Sequence, residues 1–196
     1  MSPRRGNGFI WGVLVFHCTE IEGLVEIARI PREDTRGRFA RIFDSRELLA
    51  AGWRWPVVHV NVSETVRAGT VRGLHYQVPP RAEAKLVTCV RGEIRDVSVD
   101  VRSGSPTFLK WCARTLSGDG LNSMLVPPGF AHGFQAMSAH ATVVYVHSCE
   151  YSPPHERGIG AEDERLGVSW PLPVSHLSAR DASYPPLDAG FTGVTL

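Results

Sequence analysis

Four side chains on separate stretches of this 196-residue chain, His75, Lys85, Tyr145 and Asp181, could carry acid–base chemistry on a small molecule. An imidazole takes up or releases a proton near neutral pH, an ammonium group donates to an oxygen that gains charge, and a phenol delivers a proton. Alternation along an extended chain puts Val71, Gly73, His75 and Gln77 on one side and Arg72, Leu74 and Tyr76 on the other, so His75 and Arg72 need not serve one site. By the same rule Lys85, Val87 and Cys89 share a face, as do Val143, Tyr145 and His147. If those faces line one interior, a base, an ammonium group and a phenol converge. Each residue also has an ordinary reading. A strand histidine or tyrosine is commonly a core residue with its polar atom bonded, and Ser178-Ala179-Arg180-Asp181 fits a helix capping box. The only other lysine is Lys110, which makes Lys85 less readily dismissed as surface decoration.

Other chemistries find less support. Pro127-Pro128-Gly129-Phe130-Ala131-His132 fits the P-x-G-x-x-H turn that supplies one metal histidine in cupin barrels. The paired H-x-H that would complete such a site is replaced by His75-Tyr76-Gln77, followed by Glu83, so a metal-dependent cupin is disfavoured and His132 reads as a hydrogen-bonding pocket residue. A Gly-rich phosphate loop, a G-x-S-x-G elbow and a dinucleotide fingerprint are absent. Arg36, Arg38, Arg41 and Arg72 are compatible with bidentate contacts to a pyrophosphate, though arginines in an arginine-rich chain are more often solvated. Cys18, Cys89, Cys112 and Cys149 are widely spaced with no C-x-x-C pair, which reads as reduced thiols.

The elements that must position these groups are strands. From Val57 to His147 short β-branched runs alternate with turn clusters. The runs are Val57–Val62, Val71–Gln77, Lys85–Val90, Glu93–Val101, Phe108–Leu116, Met124–Val126 and Ala141–Ser148, separated by Arg91-Gly92, Ser103 to Pro106, Ser117 to Gly120 and Pro127 to Gly129. Strand spacing near ten residues predicts an all-β sandwich or barrel. Val97-Ser98-Val99-Asp100-Val101 predicts a half-buried strand with its valines inward and its polar side chains outward. Asp44-Ser45-Arg46-Glu47 predicts a short helix ended by Gly52, and a second helical turn begins at Ser178. The last third reads as loops and turns packed on the barrel.

With 43% hydrophobic and 21% charged residues the chain can bury a core, and its length corresponds to one domain. Net charge is +1, which gives no electrostatic footprint for nucleic acid or acidic lipid. Arg4 and Arg5 before the apolar run Phe9 to Phe16 only imitate a signal sequence, since the run is short and no cleavage pattern follows. Residues 1–20 read instead as an N-terminal extension or an added strand, 21–190 as the single domain and 191–196 as a tail. No stretch is long and apolar enough to span a bilayer, and a cytoplasmic protein is expected.

Arg72-Gly73-Leu74-His75-Tyr76-Gln77, Lys85-Leu86-Val87, Gly92 with Asp96-Val97 and Val99 to Arg102, Ser105-Pro106-Thr107, Pro127 to Phe134, Tyr151-Ser152-Pro153 and Ser178 to Asp181 resemble, in order and spacing, the dTDP-4-dehydrorhamnose 3,5-epimerase family. The resemblance runs from about Ile21 to Pro186. It implies a cupin-like jelly-roll barrel with a few short peripheral helices, acting without metal or other cofactor on a nucleotide-linked 4-keto-6-deoxysugar. It also implies a homodimer with exchanged N-terminal strands.

Carried over by position, the resemblance makes His75 the general base, Asp181 the carboxylate that orients it, Tyr145 the acid on the opposite face of the sugar and Lys85 the donor to the keto oxygen. Arg36 and Arg72 would contact phosphates or sugar, His132, Gln77 and Asn61 would serve the pocket, and Tyr151 would lie near the nucleotide base. Where the family commonly carries R-G-F-F-x-E, this chain reads Arg36-Gly37-Arg38-Phe39-Ala40-Arg41. Double epimerisation at C3 and C5 is the leading expectation, and the alternatives are epimerisation at C3 only or a non-catalytic sugar-nucleotide-binding barrel.

Overall fold

The computed structural model describes residues 13–196, so the run beginning at Phe9 lies partly outside the described residues. In chain order the strands are β1 (Val13–Cys18), β2 (Val25–Ile30), β3 (Arg32–Asp34), β4 (Gly37–Phe39), β5 (His59–Thr65), β6 (Val71–Gln77) and β7 (Lys85–Arg91). They continue with β8 (Glu93–Asp100), β9 (Trp111–Ser117), β10 (Asn122–Val126), β11 (Phe130–Ala136), β12 (Ala141–His147) and β13 (Glu156–Gly158). The α-helices are α1 (Ser45–Leu48) and α2 (Ala179–Ala182), capped by the Asp44 and Ser178 side chains as their sequences predict.

One sheet runs β1-β2-β10-β7-β12-β5, the other β13-β6-β11-β8-β9, and β3 pairs with β4 as a separate hairpin. Every strand pairing is antiparallel, and the two sheets close on each other as a jelly-roll barrel. Apolar side chains fill three layers. Val87, Ile94, Leu116, Met124, Phe134 and Val143 pack inside the barrel. Leu74, Val97, Val99 and Val101 lie under the C-terminal segment, which contributes Ile159, Leu166 and Val194. Trp53 and Leu48 cover Leu86, Leu125 and Val146 of the other sheet.

Because both sheets are covered from outside, β8 departs from the half-buried pattern expected for it. Its valines face the C-terminal cover, and its polar residues are buried as well: Asp96, Ser98 and Asp100 are at most 1% exposed. The sequence misses this because burial on both sides depends on a segment more than 50 residues further along. The strand expected from Phe108 starts at Trp111, and the one expected over Val57–Val62 occupies His59–Thr65.

The expected alternation in β6 is also broken. His132 and Phe134 of β11 pair with His75 and Arg72, so two steps on one strand oppose three on the other, and the extra residue is a bulge in β6. Arg72 and His75 therefore line the same pocket, while Leu74 and Tyr76 pack on the outer layer. Gly73 makes this possible: its φ is +114°, and a Cβ there would stand 2.6 Å from Gly133 Cα and His132 O. Gly73→Ala is expected to cost about 2 kcal/mol or more in urea unfolding, from the positive φ and the backbone collision together. A variant as stable as the unsubstituted chain would show that the bulge tolerates a side chain.

Candidate active site

The inward faces of β5, β6, β7, β11 and β12 meet at a pocket of about 380 Å³. His75 sits on its wall beyond the β6 bulge, and its Nε2 lies 2.7 Å from Asp181 Oδ1. Asp181 stands in α2, where Ser178 Oγ accepts from its backbone N–H, so the capping geometry is present while the carboxylate turns toward the histidine. The other carboxylate oxygen accepts from Gly73 N–H at 3.4 Å. Burial alone would raise the Asp181 carboxyl, but the His75 bond and charge lower it below its ordinary value. When Nε2–H donates to Asp181, Nδ1 is the ring nitrogen left to accept a proton.

Tyr145 and His147 project together from β12, as alternation predicts, and pair in register with Val87 and Lys85 of β7. The Tyr145 hydroxyl lies 3.4 Å from Ser63 Oγ, and burial pushes the phenol far above its usual range, so it stays protonated at neutral pH. The rings of Tyr145 and His147 stack at 5.9 Å, while His132 meets Tyr145 edge-on at 6.4 Å. Lys85 is buried at the pocket wall with Nζ 3.5 Å from His75 O. His75, Lys85, Tyr145 and Asp181, predicted from four distant stretches, thus line one cavity.

Of the remaining predicted residues, Arg72, His132, Asn61 and Tyr151 also line the pocket. Arg72 Nε is fixed by Thr65 Oγ1 at 3.0 Å, and His132 Nε2 lies 2.7 Å from the buried Asp96 carboxylate. Two of the expected residues do not line this pocket. Gln77 is buried away from the pocket lining, where its amide bonds Arg81 O, Glu150 O and Ser152 N–H and so ties the loops at the end of β6. Arg36 does not reach the pocket of its own chain: it sits between β3 and β4, with its guanidinium on Asp34 at 2.5 Å and its side chain 88% exposed. Arg38 and Arg41 are likewise engaged with Asp119 and Asp44.

Sequence reasoning missed several pocket residues. Arg180 lies 3.4 Å from His75 Nε2 and pairs with Glu156, which also accepts from the Tyr151 hydroxyl at 2.7 Å. Glu83, weighed only as a metal ligand, stands between Lys85 and His147 at 3.0 and 2.8 Å. Its spacing of two from Lys85 was the available signal. Among the described residues no three His, Cys, Asp or Glu side chains are grouped as a metal site requires. The Cys89 and Cys112 thiols are pushed up to about 11 by burial, which leaves them as small core residues.

Burial would raise the Glu83 carboxyl, yet the Lys85 ammonium and the His147 imidazole hold it down to about 2. A carboxylate with a depressed folded-state value stabilises the fold above its unfolded value, and this contribution is lost as pH falls toward 2. Between pH 5 and pH 2.5 the unsubstituted chain should therefore lose about 2 kcal/mol more urea stability than Glu83→Gln. Parallel losses in the two proteins would show that Glu83 is not held in its charged form.

Comparison with known proteins agrees with this architecture. The family model described as dTDP-4-dehydrorhamnose 3,5-epimerase matches residues 18–189. A protein of that name from Sinorhizobium fredii is 41% identical over 155 residues, 79% of this chain and 80% of its own. The dTDP-4-dehydrorhamnose 3-epimerase of Streptomyces niveus is 40% identical over 162 residues, 82% of this chain and 78% of its own. The crystal structure of a dTDP-6-deoxy-D-glucose-3,5-epimerase from Legionella pneumophila, in complex with dTDP-4-keto-L-rhamnose, superposes with a TM-score of 0.86 at 35% identity. The superposition covers 94% of this chain and 100% of that one. A family match over most of the chain, on a barrel that gathers the expected acid–base groups into one pocket, means that this chain belongs to the dTDP-4-dehydrorhamnose 3,5-epimerase family.

Proposed function

We propose that the chain is an isomerase that inverts C3 and C5 of a dTDP-linked 4-keto-6-deoxyhexose in deoxysugar biosynthesis, using no metal or other cofactor. The observation that carries this reading is the His75–Asp181 pair in one pocket with Tyr145 and Lys85. A C–H bond beside a ketone is acidic because the charge left on carbon moves onto oxygen, so the reaction needs a positioned base and a donor at that oxygen. His75 removes the proton, Asp181 holds the ring and stabilises the imidazolium that forms, and Lys85 donates to the enolate oxygen. Inversion then requires a proton from the other face. Tyr145 supplies it, and its buried phenol is protonated at neutral pH as that role demands.

Arg72 and His132 hold the sugar and phosphates, while Tyr151 at the rim, 58% exposed, meets the nucleotide base. Residues 21–190 form the catalytic domain, preceded by an extension whose β1 adds to the sheet edge. The working form is a cytoplasmic homodimer with exchanged N-terminal strands. The exposed Arg36 hairpin and the bare valines of edge strand β5, Val60 and Val62 at 63% and 69% exposure, support a second copy at that edge. Arg36 then serves the neighbouring copy's pocket.

In heavy water, the purified protein with dTDP-4-keto-6-deoxyglucose should incorporate deuterium at both C3 and C5, followed by NMR. Exchange at C3 alone would make it a C3 epimerase, and exchange at neither carbon would overturn the assignment for this substrate. His75→Ala should slow exchange about a thousandfold while changing dTDP affinity less than about threefold. Unchanged exchange in that variant would remove His75 from the role of base.

A further inference from the structure

The mechanism above leaves Glu83 unused, yet this carboxylate is one of the most tightly held groups in the pocket. Its Oε1 lies 3.0 Å from Lys85 Nζ and its Oε2 lies 2.8 Å from His147 Nδ1. The side chains of Glu83 and Lys85 are each 10% exposed and that of His147 is 16% exposed. The backbone fixes the arrangement from both strands. Glu83 stands in the segment just ahead of β7, two residues before Lys85, while His147 stands opposite Lys85 in the β12–β7 register. Between Glu83 and Lys85, Ala84 N–H donates to Ser148 Oγ at 2.7 Å and Ser148 N–H donates to Ala84 O at 3.1 Å.

A buried ammonium with no counter-charge favours release of its proton, and a four-carbon side chain left free samples many rotamers. Lys85 can act as a donor to the keto oxygen only if it stays charged and aimed. The other charged or titratable side chains of the pocket are His75 and Arg72 from β6, His132 from β11 with Asp96 behind it, Tyr145 and His147 from β12, Asp181 and Arg180 from α2, and Glu156, which pairs with Arg180 and accepts from Tyr151. Asp96 and Asp181 are each committed to a histidine. Among the described residues Glu83 is the carboxylate at ion-pair distance from Lys85 Nζ.

We infer that Glu83, clamped by His147, is a positioning residue for the reaction: it keeps the Lys85 ammonium charged and pointed at the sugar's keto oxygen. The kinetic part of this inference rests on the epimerase reading; the hold on Lys85 does not. Because Lys85 and Lys110 are the only lysines, ε-15N-lysine labelling gives two side-chain signals, and Lys110→Arg assigns them. In the unsubstituted protein at neutral pH the Lys85 ammonium should be resolved and shielded from water exchange. Glu83→Gln should broaden it away, and His147→Asn should speed its exchange at least about tenfold. A Lys85 signal already lost in the unsubstituted protein, or one unaltered by Glu83→Gln, would overturn the inference. If Glu83→Gln does not fold, the unsubstituted protein and His147→Asn still decide it.

In the deuterium assay Glu83→Gln should slow exchange about 10- to 100-fold and move the alkaline limb of the rate profile down by about one pH unit or more. In a Lys85→Met background the Glu83 substitution should add no further loss. Losses that multiply would show that Glu83 acts apart from Lys85 and would overturn the inference. An unsubstituted protein that exchanges no sugar proton would instead sink the epimerase reading, and the lysine spectra would still report whether Glu83 holds Lys85.

Discussion

A carboxylate as deeply buried as Asp181, only 4% exposed, must be partnered. Its partner is His75, which lies 106 residues earlier in the chain. That single bond sets where the C-terminal third must run. To bring α2 against β6, the chain after β13 wraps the outer face of the second sheet, and in doing so it buries Leu74, Val97, Val99 and Val101 under Ile159, Leu166 and Val194. The same wrap closes the pocket with Arg180. The cover that stabilises the sheet and the carboxylate that holds His75 are thus one segment, and neither can be displaced without the other.

The pocket repeats this pairing. Three imidazoles line it and each has its own carboxylate: His75 with Asp181, His132 with Asp96, and His147 with Glu83. Each carboxylate compensates for burial of its neighbour, and each bond fixes one ring nitrogen and so decides which atom faces the cavity. The bulge at Gly73 supplies the last requirement, because an unbroken β6 would turn either Arg72 or His75 away from the others. The geometry for acid–base chemistry therefore depends on one irregularity in an otherwise alternating sheet.

Much of this was legible in the sequence. The short β-branched runs and their turns gave the barrel; alternation placed Lys85 with Val87 and Tyr145 with His147, since each pair lies on a regular strand two residues apart. What alternation could not show was its own interruption: the β6 bulge depends on the approach of Gly133, 60 residues away, so Arg72 and His75 read as opposed. The inward turn of Asp96 was hidden for a similar reason, because the cover that takes the valines of β8 comes from the far end of the chain and leaves the polar face of the strand to the barrel interior. The loop backbone groups that the Gln77 amide bonds are announced by no local pattern. The resemblance named Arg36 as a ligand, and only the fold reveals that it lies outside the pocket of its own chain, exposed and paired with Asp34. Arg180 went unread because a charged residue beside a known site is indistinguishable in sequence from one facing solvent, and Glu83, weighed only as a metal ligand, offered no more than its spacing from Lys85.

Inversion by the proposed route needs two faces: a base on one side of the sugar and a separate acid on the other. Tyr145→Phe removes only a hydroxyl while leaving His75, Asp181 and Lys85 in place, so following deuterium uptake and product configuration together in this variant is the most direct test. Uptake at C3 and C5 should continue with retention, because His75 still removes and returns the proton on its own face, while inverted product falls by about a hundredfold or more. Inversion at an undiminished rate would contradict the account, since the opposite-face proton would then come from somewhere other than Tyr145.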